Sequence, residues 1–326
     1  MKYRKLGKTG ISISGVGFGC GNVGGIIIRQ PNQVRLQAVR RALESGINYF
    51  DTAPQYGQGQ SELNLGQLLK ELHANPFVAT KVRLKNEDLG NINKVINDSL
   101  NNSLKRLQRD YVDVLLLHNP VCARRGNRRD SVTVEDVLGA GGILQAMGNI
   151  KAQGKARFLG FTGLGDTDVL HSLVKTGRFD VFQCYYNILN PSAAEEVKPG
   201  FSAQDYKGLM KVAASAGMGI LGIRIMAAGA LSNEPPTRAS ENTMSPGSEY
   251  DSDISKGKGL ESLVGGNVES IQELAFRYAL SNKQLSCLLI GFAELQHIEQ
   301  SVAWVDKGPL PISMMEKIRE MREKKL

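Results

Sequence analysis

The sequence predicts an α/β fold, a closed (β/α)8 barrel of the TIM type. Short, continuously apolar segments alternate with amphipathic segments along the chain, which predicts parallel strands covered by helices. Eight such units favour closure into a barrel over an open sheet. The chain has 326 residues, 41% of them hydrophobic, and is long enough to bury one large core. We therefore expect a single domain that spans residues 1–326.

Each predicted strand is followed by one predicted helix. The strand segments are 16–19, 48–51, 77–81, 111–118, 156–162, 179–184, 219–225 and 285–291. The helical segments are 34–46, 61–71, 92–107, 143–153, 169–176, 209–216, 271–280 and 295–305. A doubly wound sheet is the weaker alternative, because the glycines near the first strand do not form the G-x-G-x-x-G pattern that opens a helix.

The ends of the chain and two long loops complete the predicted architecture. Residues 3–6 and 11–14 flank a glycine-bounded turn, and their alternation predicts an N-terminal β-hairpin. A helix is expected at the C-terminus. The loops 119–135 and 232–266 follow the fourth and seventh strands, and loops of this length are usually functional lids or disordered. Both lie at the barrel face where enzymes of this fold class place their active sites.

Charge and hydropathy exclude several classes of function. The formal net charge is +8, but the basic residues are scattered, apart from two arginine pairs in the loop 119–135 and the tail 317–325. This pattern favours an anionic small molecule over nucleic acid as the partner. No apolar run approaches the roughly 18 residues that span a bilayer, and no signal peptide is evident, so we expect a cytoplasmic protein that binds no membrane. No pattern predicts the oligomeric state.

The four cysteines are distant from one another in the sequence and form no C-x-x-C pair. Their positions are Cys20, Cys122, Cys184 and Cys287. This spacing indicates neither a disulfide framework nor a zinc or iron–sulfur site. We expect reduced, mostly buried thiols and no metal.

Polar side chains stand at the carboxyl ends of three consecutive predicted strands. They are Asp51, Lys81 and His118, with Tyr56 in the loop beyond Asp51, and such ends converge at one mouth of a barrel. A phenol has an ordinary pKa of about 10, and a neighbouring ammonium lowers it. We expect Lys81 to lower the pKa of Tyr56, Asp51 to keep Lys81 protonated, and His118 to hydrogen-bond a substrate oxygen. Each residue alone is equally explained as a turn former, cap or solvated strand end.

These motifs resemble those of the aldo-keto reductase family. Residues 46–53 with Tyr56-Gly57 resemble its G-x-x-x-x-D-T-A-x-x-Y-G signature, 79–81 its lysine strand and 111–118 its Y-x-D-x-x-x-x-H element. The resemblance covers nearly the whole chain. It implies an NAD(P)-dependent oxidoreductase that transfers hydride to or from an aldehyde, ketone or sugar, with Tyr56 as acid or base. It also implies that Lys81 tunes that phenol, that Asp51 supports Lys81, and that His118 orients the carbonyl.

Within the family, the pattern is similar to that of the NAD-linked aldose and galactose dehydrogenases, which oxidise a sugar hemiacetal. A nucleotide-binding regulatory barrel, which senses redox state with little or no turnover, is the alternative. Such a barrel could keep all four residues, so the motifs do not separate the two hypotheses. Turnover and its loss in Tyr56→Phe would separate them.

The resemblance also implies cofactor contacts at the later strands. Gln183 and Thr162 match residues that hold the nicotinamide, although Gly163 stands where the family has Asn. Ile223 replaces an aromatic that often stacks on the nicotinamide. Ala227 and Gly229 belong to a segment that matches the loop along the pyrophosphate, and the alternative is a small-residue loop that packs on a neighbour.

The adenosine end of the cofactor is expected at the last strand and the helix after it. The matching residues are Gly291, Ala293, Glu294 and His297. NADP-preferring members place Lys or Arg here, because a phosphate dianion needs charged donors. Glu294 would repel that phosphate, so the sequence favours NAD over NADP. Glu294 is also explained as a helix N-terminal carboxylate that is favourable to the macrodipole.

Overall fold

The computed structural model describes residues 1–232 and 245–325, without the side chains of 323–325. The strands are β1 (Tyr3–Lys5), β2 (Ser12–Ser14), β3 (Val16–Gly19), β4 (Tyr49–Asp51), β5 (Phe77–Val82), β6 (Val112–Leu117), β7 (Ala156–Thr162), β8 (Val181–Tyr185), β9 (Gly219–Ile223) and β10 (Cys287–Gly291). β1 and β2 pair antiparallel as the predicted hairpin. The other eight strands form a closed barrel of parallel strands in the order β10-β3-β4-β5-β6-β7-β8-β9. The predicted (β/α)8 fold is confirmed.

Helices surround this barrel. They are α1 (Ile26–Arg29), α2 (Asn32–Glu44), α3 (Gln60–Glu71), α4 (Ile92–Leu107), α5 (Val134–Leu138), α6 (Ile143–Ala152), α7 (Thr167–Lys175), α8 (Leu209–Ser215), α9 (Tyr250–Lys258), α10 (Ile271–Leu280), α11 (Leu295–Lys307) and α12 (Ile312–Lys325). The eight strand–helix units have the predicted order, with boundaries within two residues, and α12 is the predicted C-terminal helix. No helix in the described ranges is long and apolar enough to cross a membrane.

The hairpin closes the amino-terminal end of the barrel. Leu6, Ile11 and Ile13 are buried in one apolar cluster with the inward-facing strand residues. The amide of Lys8 donates to the carbonyl of Gly217 at 2.8 Å, just before β9. A Cβ on Gly219 would come within 2.5 Å of Leu6, so this glycine allows the close approach. The cavity that could receive a ligand opens at the opposite, carboxyl end of the strands.

Two expectations about the long loops need correction. The segment 232–266 was expected to lack regular structure, yet it contains α9 and a 3-10 turn at Glu261–Leu263; its residues 233–244 lie outside the described structure. α9 has almost no apolar periodicity, but acids occupy its first turn and lysines its last, which complements the helix dipole. The loop 119–135 ends two residues early, because Thr133 and Asp136 form a capping box that starts α5.

Candidate active site

Neighbouring strands bring the predicted catalytic residues together. Asp51 ends β4, Lys81 lies near the end of β5, and His118 follows β6. These strands are adjacent in the barrel, with Asp51 paired to Ala79 and Lys81 to Leu116. Tyr56 starts a 3-10 turn just beyond β4. The parallel arrangement therefore places all four side chains at the carboxyl end of the barrel, as predicted.

The Lys81 ammonium lies at the centre of a hydrogen-bond network. It donates to Asp51 Oδ1 at 2.5 Å, to the carbonyl of Thr52 at 2.8 Å and to the Tyr56 hydroxyl at 3.2 Å. These contacts engage all three of its N–H donors. Lys81 is 1% exposed and Asp51 4% exposed, so solvent screens this ion pair very little.

Burial and charge shift the pKa values within the network in opposite directions. Burial disfavours the Lys81 ammonium, but the Asp51 carboxylate and Tyr56 outweigh it and raise the pKa of Lys81. Burial raises the pKa of the Tyr56 phenol, while the Lys81 ammonium acts to lower it. Lys81 therefore has the expected effect on Tyr56, but the expected net lowering is wrong, because burial dominates. Near neutral pH the phenol keeps its proton.

Gln183 and Thr162 extend this network. Gln183 Nε2 donates to Asp51 Oδ2 at 2.6 Å, and Thr162 Oγ1 donates to Gln183 Oε1 at 3.2 Å. Both side chains are buried. Burial raises the pKa of the Asp51 carboxyl, and the donors on Lys81 and Gln183 oppose that shift. Gln183, expected only at the cofactor, thus also stabilises the ionised form of Asp51.

His118 lies beside Tyr56 at the same end of the barrel. The two rings are perpendicular with their centroids 6.0 Å apart, and His118 Nδ1 is 3.3 Å from Gln55 Oε1. Burial holds the pKa of His118 well below its ordinary value, helped by the positive charges of Lys81 and Arg83. The imidazole is therefore neutral near pH 7, with one N–H donor and one acceptor nitrogen.

A cavity of about 1350 Å³ opens above these residues. Of the predicted site residues, Asp51, Tyr56, His118, Thr162, Gln183, Ile223, Gly229, Gly291, Ala293 and His297 line it. Lys81 lies outside the lining and reaches the cavity through Tyr56. Ala227 is buried outside the lining, and Glu294 is exposed outside it as the N-cap residue of α11. One cavity therefore joins the predicted catalytic and cofactor residues.

Comparisons with known proteins agree with this geometry. The family model described as Aldo/keto reductase family matches residues 15–323. The chain belongs to the aldo-keto reductase family. This membership makes the protein an oxidoreductase.

Two curated relatives and one solved structure from this family are similar to the chain. L-galactose dehydrogenase from Arabidopsis thaliana is 30% identical over 312 residues, covering 94% of this chain and 88% of its own length. NADH-specific methylglyoxal reductase from Escherichia coli is 28% identical over 225 residues, covering 61% and 63% respectively. Aldo-keto reductase AKR11C1 from Bacillus halodurans, in its holo form, superposes with a TM-score of 0.74 at 23% identity, covering 98% of this chain and 96% of its own. This superposition supports the aldo-keto reductase fold.

Part of the cavity lining suits a dinucleotide. We call it the cofactor wall: Gly24, the loop after β9 and the segment from β10 into α11. Gly291 is exposed at the wall, and the backbones of Gly24 and Gly291 approach so closely that a Cβ on Gly24 would come within 2.3 Å of Gly291. Ala228 and Gly229 both have positive φ, 61° and 101°, so the loop after β9 turns tightly beside the cavity. Backbone free of bulky side chains can approach a pyrophosphate closely. The residues present therefore fit a nicotinamide dinucleotide.

Gly163 has a packing explanation that the sequence did not reveal. A Cβ at this position would lie 2.7 Å from the Phe182 ring and 2.8 Å from the carbonyl oxygen of Gln183. The glycine amide donates to that same carbonyl at 2.8 Å. The missing side chain thus lets the end of β7 lie close to β8 at the carboxyl end of the barrel.

Sequence reasoning missed several residues of the cavity in this family member. Gln55, Arg83, Arg128 and Arg224 all line it, and none was assigned to the site from the sequence. Gln55 lies inside the recognised signature, next to Tyr56. Arg83 and Arg224 each directly follow a barrel strand, so the criterion that selected Asp51 and His118 would also have selected them. Arg128 belongs to the loop 119–135, which we call the basic loop, and its conformation could not be predicted from the sequence.

Proposed function

We propose that this aldo-keto reductase is an NAD(P)-dependent oxidoreductase that acts on the carbonyl or alcohol carbon of an aldehyde, ketone or sugar. The observation that supports it most strongly is the hydrogen-bonded series Tyr56–Lys81–Asp51 below the cavity, with His118 beside Tyr56. This arrangement provides one proton donor, one cation that stabilises the resulting anion, and one neutral hydrogen-bonding group. These groups can carry out carbonyl reduction, and alcohol oxidation uses them in reverse.

Each residue has a distinct part in the proposal. When bound, the nicotinamide supplies or accepts the hydride. Tyr56 gives its proton to the carbonyl oxygen during reduction and takes it back during oxidation. The Lys81 ammonium, 3.2 Å away, stabilises the phenolate that forms, and Asp51 keeps Lys81 charged. The neutral His118 imidazole holds the substrate oxygen without competing as an acid.

The proposal favours NAD over NADP. From β10 through α11, the described residues that line the cavity include Ala293, His297, Gln300, Ser301 and Trp304. The one lysine of that segment, Lys307 at the end of α11, does not line it. A 2'-phosphate there would find no charged donor from this segment, and Arg29 of α1, which also lines the cavity, already donates to the carbonyls of Asn22, Val23 and Gly24. The Escherichia coli relative is named as NADH-specific, which supports the same preference. Glu294 contributes less than the sequence suggested, because it lies outside the lining.

The proposal treats the chain as one domain. The Met1 ammonium contacts Asp306 of α11 at 3.2 Å. Arg322 of α12 contacts Glu195 at 3.3 Å. Both ends of the chain are therefore attached to the same barrel.

The test is turnover by the purified protein with NADH and NADPH across aldehydes, ketones and aldoses. We expect NADH-dependent turnover, and in Tyr56→Phe a fall in kcat by a factor of about 10² to 10⁴ with cofactor affinity retained. Tyr111→Phe is the matched control, because Tyr111 precedes β6 at the closed end of the barrel. Cofactor binding without any turnover would support the regulatory barrel instead. Full activity in Tyr56→Phe would exclude this role for Tyr56.

A further inference from the structure

Four positive side chains line one side of the cavity rim. Arg83 and Lys85 follow β5, and Arg128 and Arg129 belong to the loop after β6. Asp130 is the one carboxylate of these two segments that lines the cavity with them. We call these four side chains the basic rim. Like charges gathered at a cavity attract an anion and disfavour a cation.

A buried asparagine fixes the backbone of the basic rim. Asn119 is fully buried, and its side chain bonds both the amide and the carbonyl of Leu84, at 2.9 and 2.7 Å. The same side-chain amide donates to the carbonyl of Asp130 at 2.6 Å. The segments that carry Arg83 and Arg128 are therefore joined through one internal amide, so the rim has a defined geometry.

Individual contacts orient two of its arginines. Arg83 Nε donates to Asp130 Oδ2 at 3.1 Å, and Arg83 Nη2 donates to the carbonyl of Arg129 at 3.0 Å. Arg128 Nη2 donates to Gln204 Oε1 at 3.2 Å. A guanidinium has five N–H donors, and the two contacts of Arg83 use two of them. The side chain of Arg129 is 92% exposed.

Arg125 in the same loop behaves differently. Its guanidinium forms an ion pair with Asp136 of α5, and it does not line the cavity. The loop therefore contains both a neutralised arginine outside the cavity and two arginines at the rim. Arg125 therefore provides a control in the same loop, three residues from Arg128 and four from Arg129.

The basic rim lies beside the reacting groups and across from the cofactor wall. The amide of His118 donates to the carbonyl of Val82, the residue before Arg83, at 2.8 Å. In the closed barrel order, β5 and β6 stand opposite β9 and β10. The segments expected to hold the cofactor phosphates follow β9 and β10. The rim is therefore on the side of the mouth that the substrate would occupy.

We infer that the substrate is an anionic carbonyl compound or sugar, whose carboxylate or phosphate is held by the basic rim while its reacting carbon lies at Tyr56 and His118. This inference rests on the proposed function. Arginine suits both anions, because its planar donors match two oxygens of either group. Arg83 and Arg129 share Asp130, and Lys85 lies 3.5 Å from Glu87. Four cations against one lining carboxylate of these segments still favour an anion over a neutral sugar.

Matched pairs of compounds test this inference. Butanal is compared with 4-oxobutanoate, and glyceraldehyde with glyceraldehyde 3-phosphate, each with NADH. A charged contact is worth a factor of about ten or more in affinity, so we expect the anionic member of at least one pair to have a KM lower by about that factor. Added salt should reduce this advantage. The pair with the larger advantage identifies carboxylate or phosphate as the group recognised.

Variants link the effect to the rim. In Arg128→Gln and Arg129→Gln, we expect the ratio of kcat/KM for the anionic over the neutral compound to fall by a factor of about ten. Arg128→Lys should retain part of the preference, because it keeps the charge. Arg125→Gln should keep the wild-type ratio. Titration calorimetry with 4-oxobutanoate and glyceraldehyde 3-phosphate provides a readout that does not depend on turnover.

The outcomes separate the two proposals. Equal kcat/KM within both pairs, or an equal effect of Arg125→Gln and Arg128→Gln on the ratio, overturns the anion site and leaves the proposed function intact. Absence of turnover with every compound overturns the proposed function. Calorimetry then decides the anion site: weaker binding of the anionic compound by Arg129→Gln than by wild type supports it. No binding, or equal binding, overturns it.

Discussion

Asp51 and Gln183 meet across the full width of the barrel mouth. They end up 2.6 Å apart, Gln183 Nε2 to Asp51 Oδ2, although β4 and β8 stand opposite each other in the closed sheet. The other carboxylate oxygen of Asp51 accepts from Lys81 at 2.5 Å. One buried carboxylate is therefore held between a cation on one side and an amide on the other. Gln183 therefore links the expected cofactor position to the Asp51–Lys81 pair, which contacts Tyr56.

Gln183→Met tests the structural part of this contact. Met has a similar length but no donor, so Asp51 would lose one hydrogen bond to a charged oxygen. We expect the free energy of unfolding to fall by about 1.5–3 kcal/mol, measured by urea denaturation. Gln153→Met, at the exposed end of α6, should change it by less than about 0.5 kcal/mol. Equal changes in the two variants would show that the Asp51 contact contributes nothing specific.

Removing both partners of the Lys81–Asp51 pair should lower the free energy of unfolding by less than the sum of the two single removals. Lys81→Met leaves the Asp51 carboxylate buried without its cation, which costs about 3–5 kcal/mol in the free energy of unfolding. Adding Asp51→Asn removes that charge, so we expect the double variant to be more stable than the sum of the single effects by about 0.5–3 kcal/mol. Turnover should stay absent in both, because Tyr56 has lost its cation. Strict additivity of the unfolding free energies would contradict this account.

The fold and the catalytic positions could be predicted because they depend on local patterns. A buried parallel strand is continuously apolar, and its carboxyl end must face the mouth of a barrel, so Asp51, Lys81 and His118 could be placed together from sequence. The contact between Asp51 and Gln183 joins residues 132 positions apart, and no local pattern encodes it. The net pKa shift of Tyr56 depends on burial, which only the folded chain determines.

The basic loop illustrates the same limit. Its arginines could be seen in the sequence, but the different contacts that each arginine makes in the folded protein could not be predicted. Arg125 pairs with Asp136, whereas Arg128 lines the cavity near Gln204. The buried Asn119 joins the loop at Asp130 to Leu84, just beyond the end of β5, a contact that the sequence pattern does not reveal. Amphipathic spacing likewise could not reveal α9, which is stabilised by its terminal charges more than by an apolar face.

Gly163→Asn tests whether the departure from the family pattern is structural. The substitution supplies the side chain that the resemblance led us to expect, but its Cβ would lie 2.7 Å from the Phe182 ring. We expect overpacking to lower the free energy of unfolding by about 1–3 kcal/mol, with no gain in NADH affinity by fluorescence titration. Gly148→Asn is the control, because a Cβ there would meet nothing within 4 Å. Tighter NADH binding with unchanged stability in Gly163→Asn would show that the strands can accommodate the side chain.

His118 should make the stability of the protein depend on pH. Burial, with the charges of Lys81 and Arg83, holds the pKa of His118 well below its ordinary value. Below pH 6.5 or so the unfolded chain therefore binds a proton that the native chain does not, and the free energy of unfolding falls as pH falls.

The contribution of His118 is measurable against a variant that cannot titrate. Between pH 6.5 and 5, wild type should lose about 1.6 kcal/mol in total more than His118→Gln, measured by urea denaturation. His73→Asn, at an exposed turn after α3, controls for loss of a histidine elsewhere. Since His118 stays neutral in the folded protein, kcat for carbonyl reduction should also stay level from pH 8 to 6. Parallel stability profiles for wild type and His118→Gln would mean that the folded protein protonates the imidazole over the same pH range as the unfolded chain, and the lowered pKa of His118 would then be wrong.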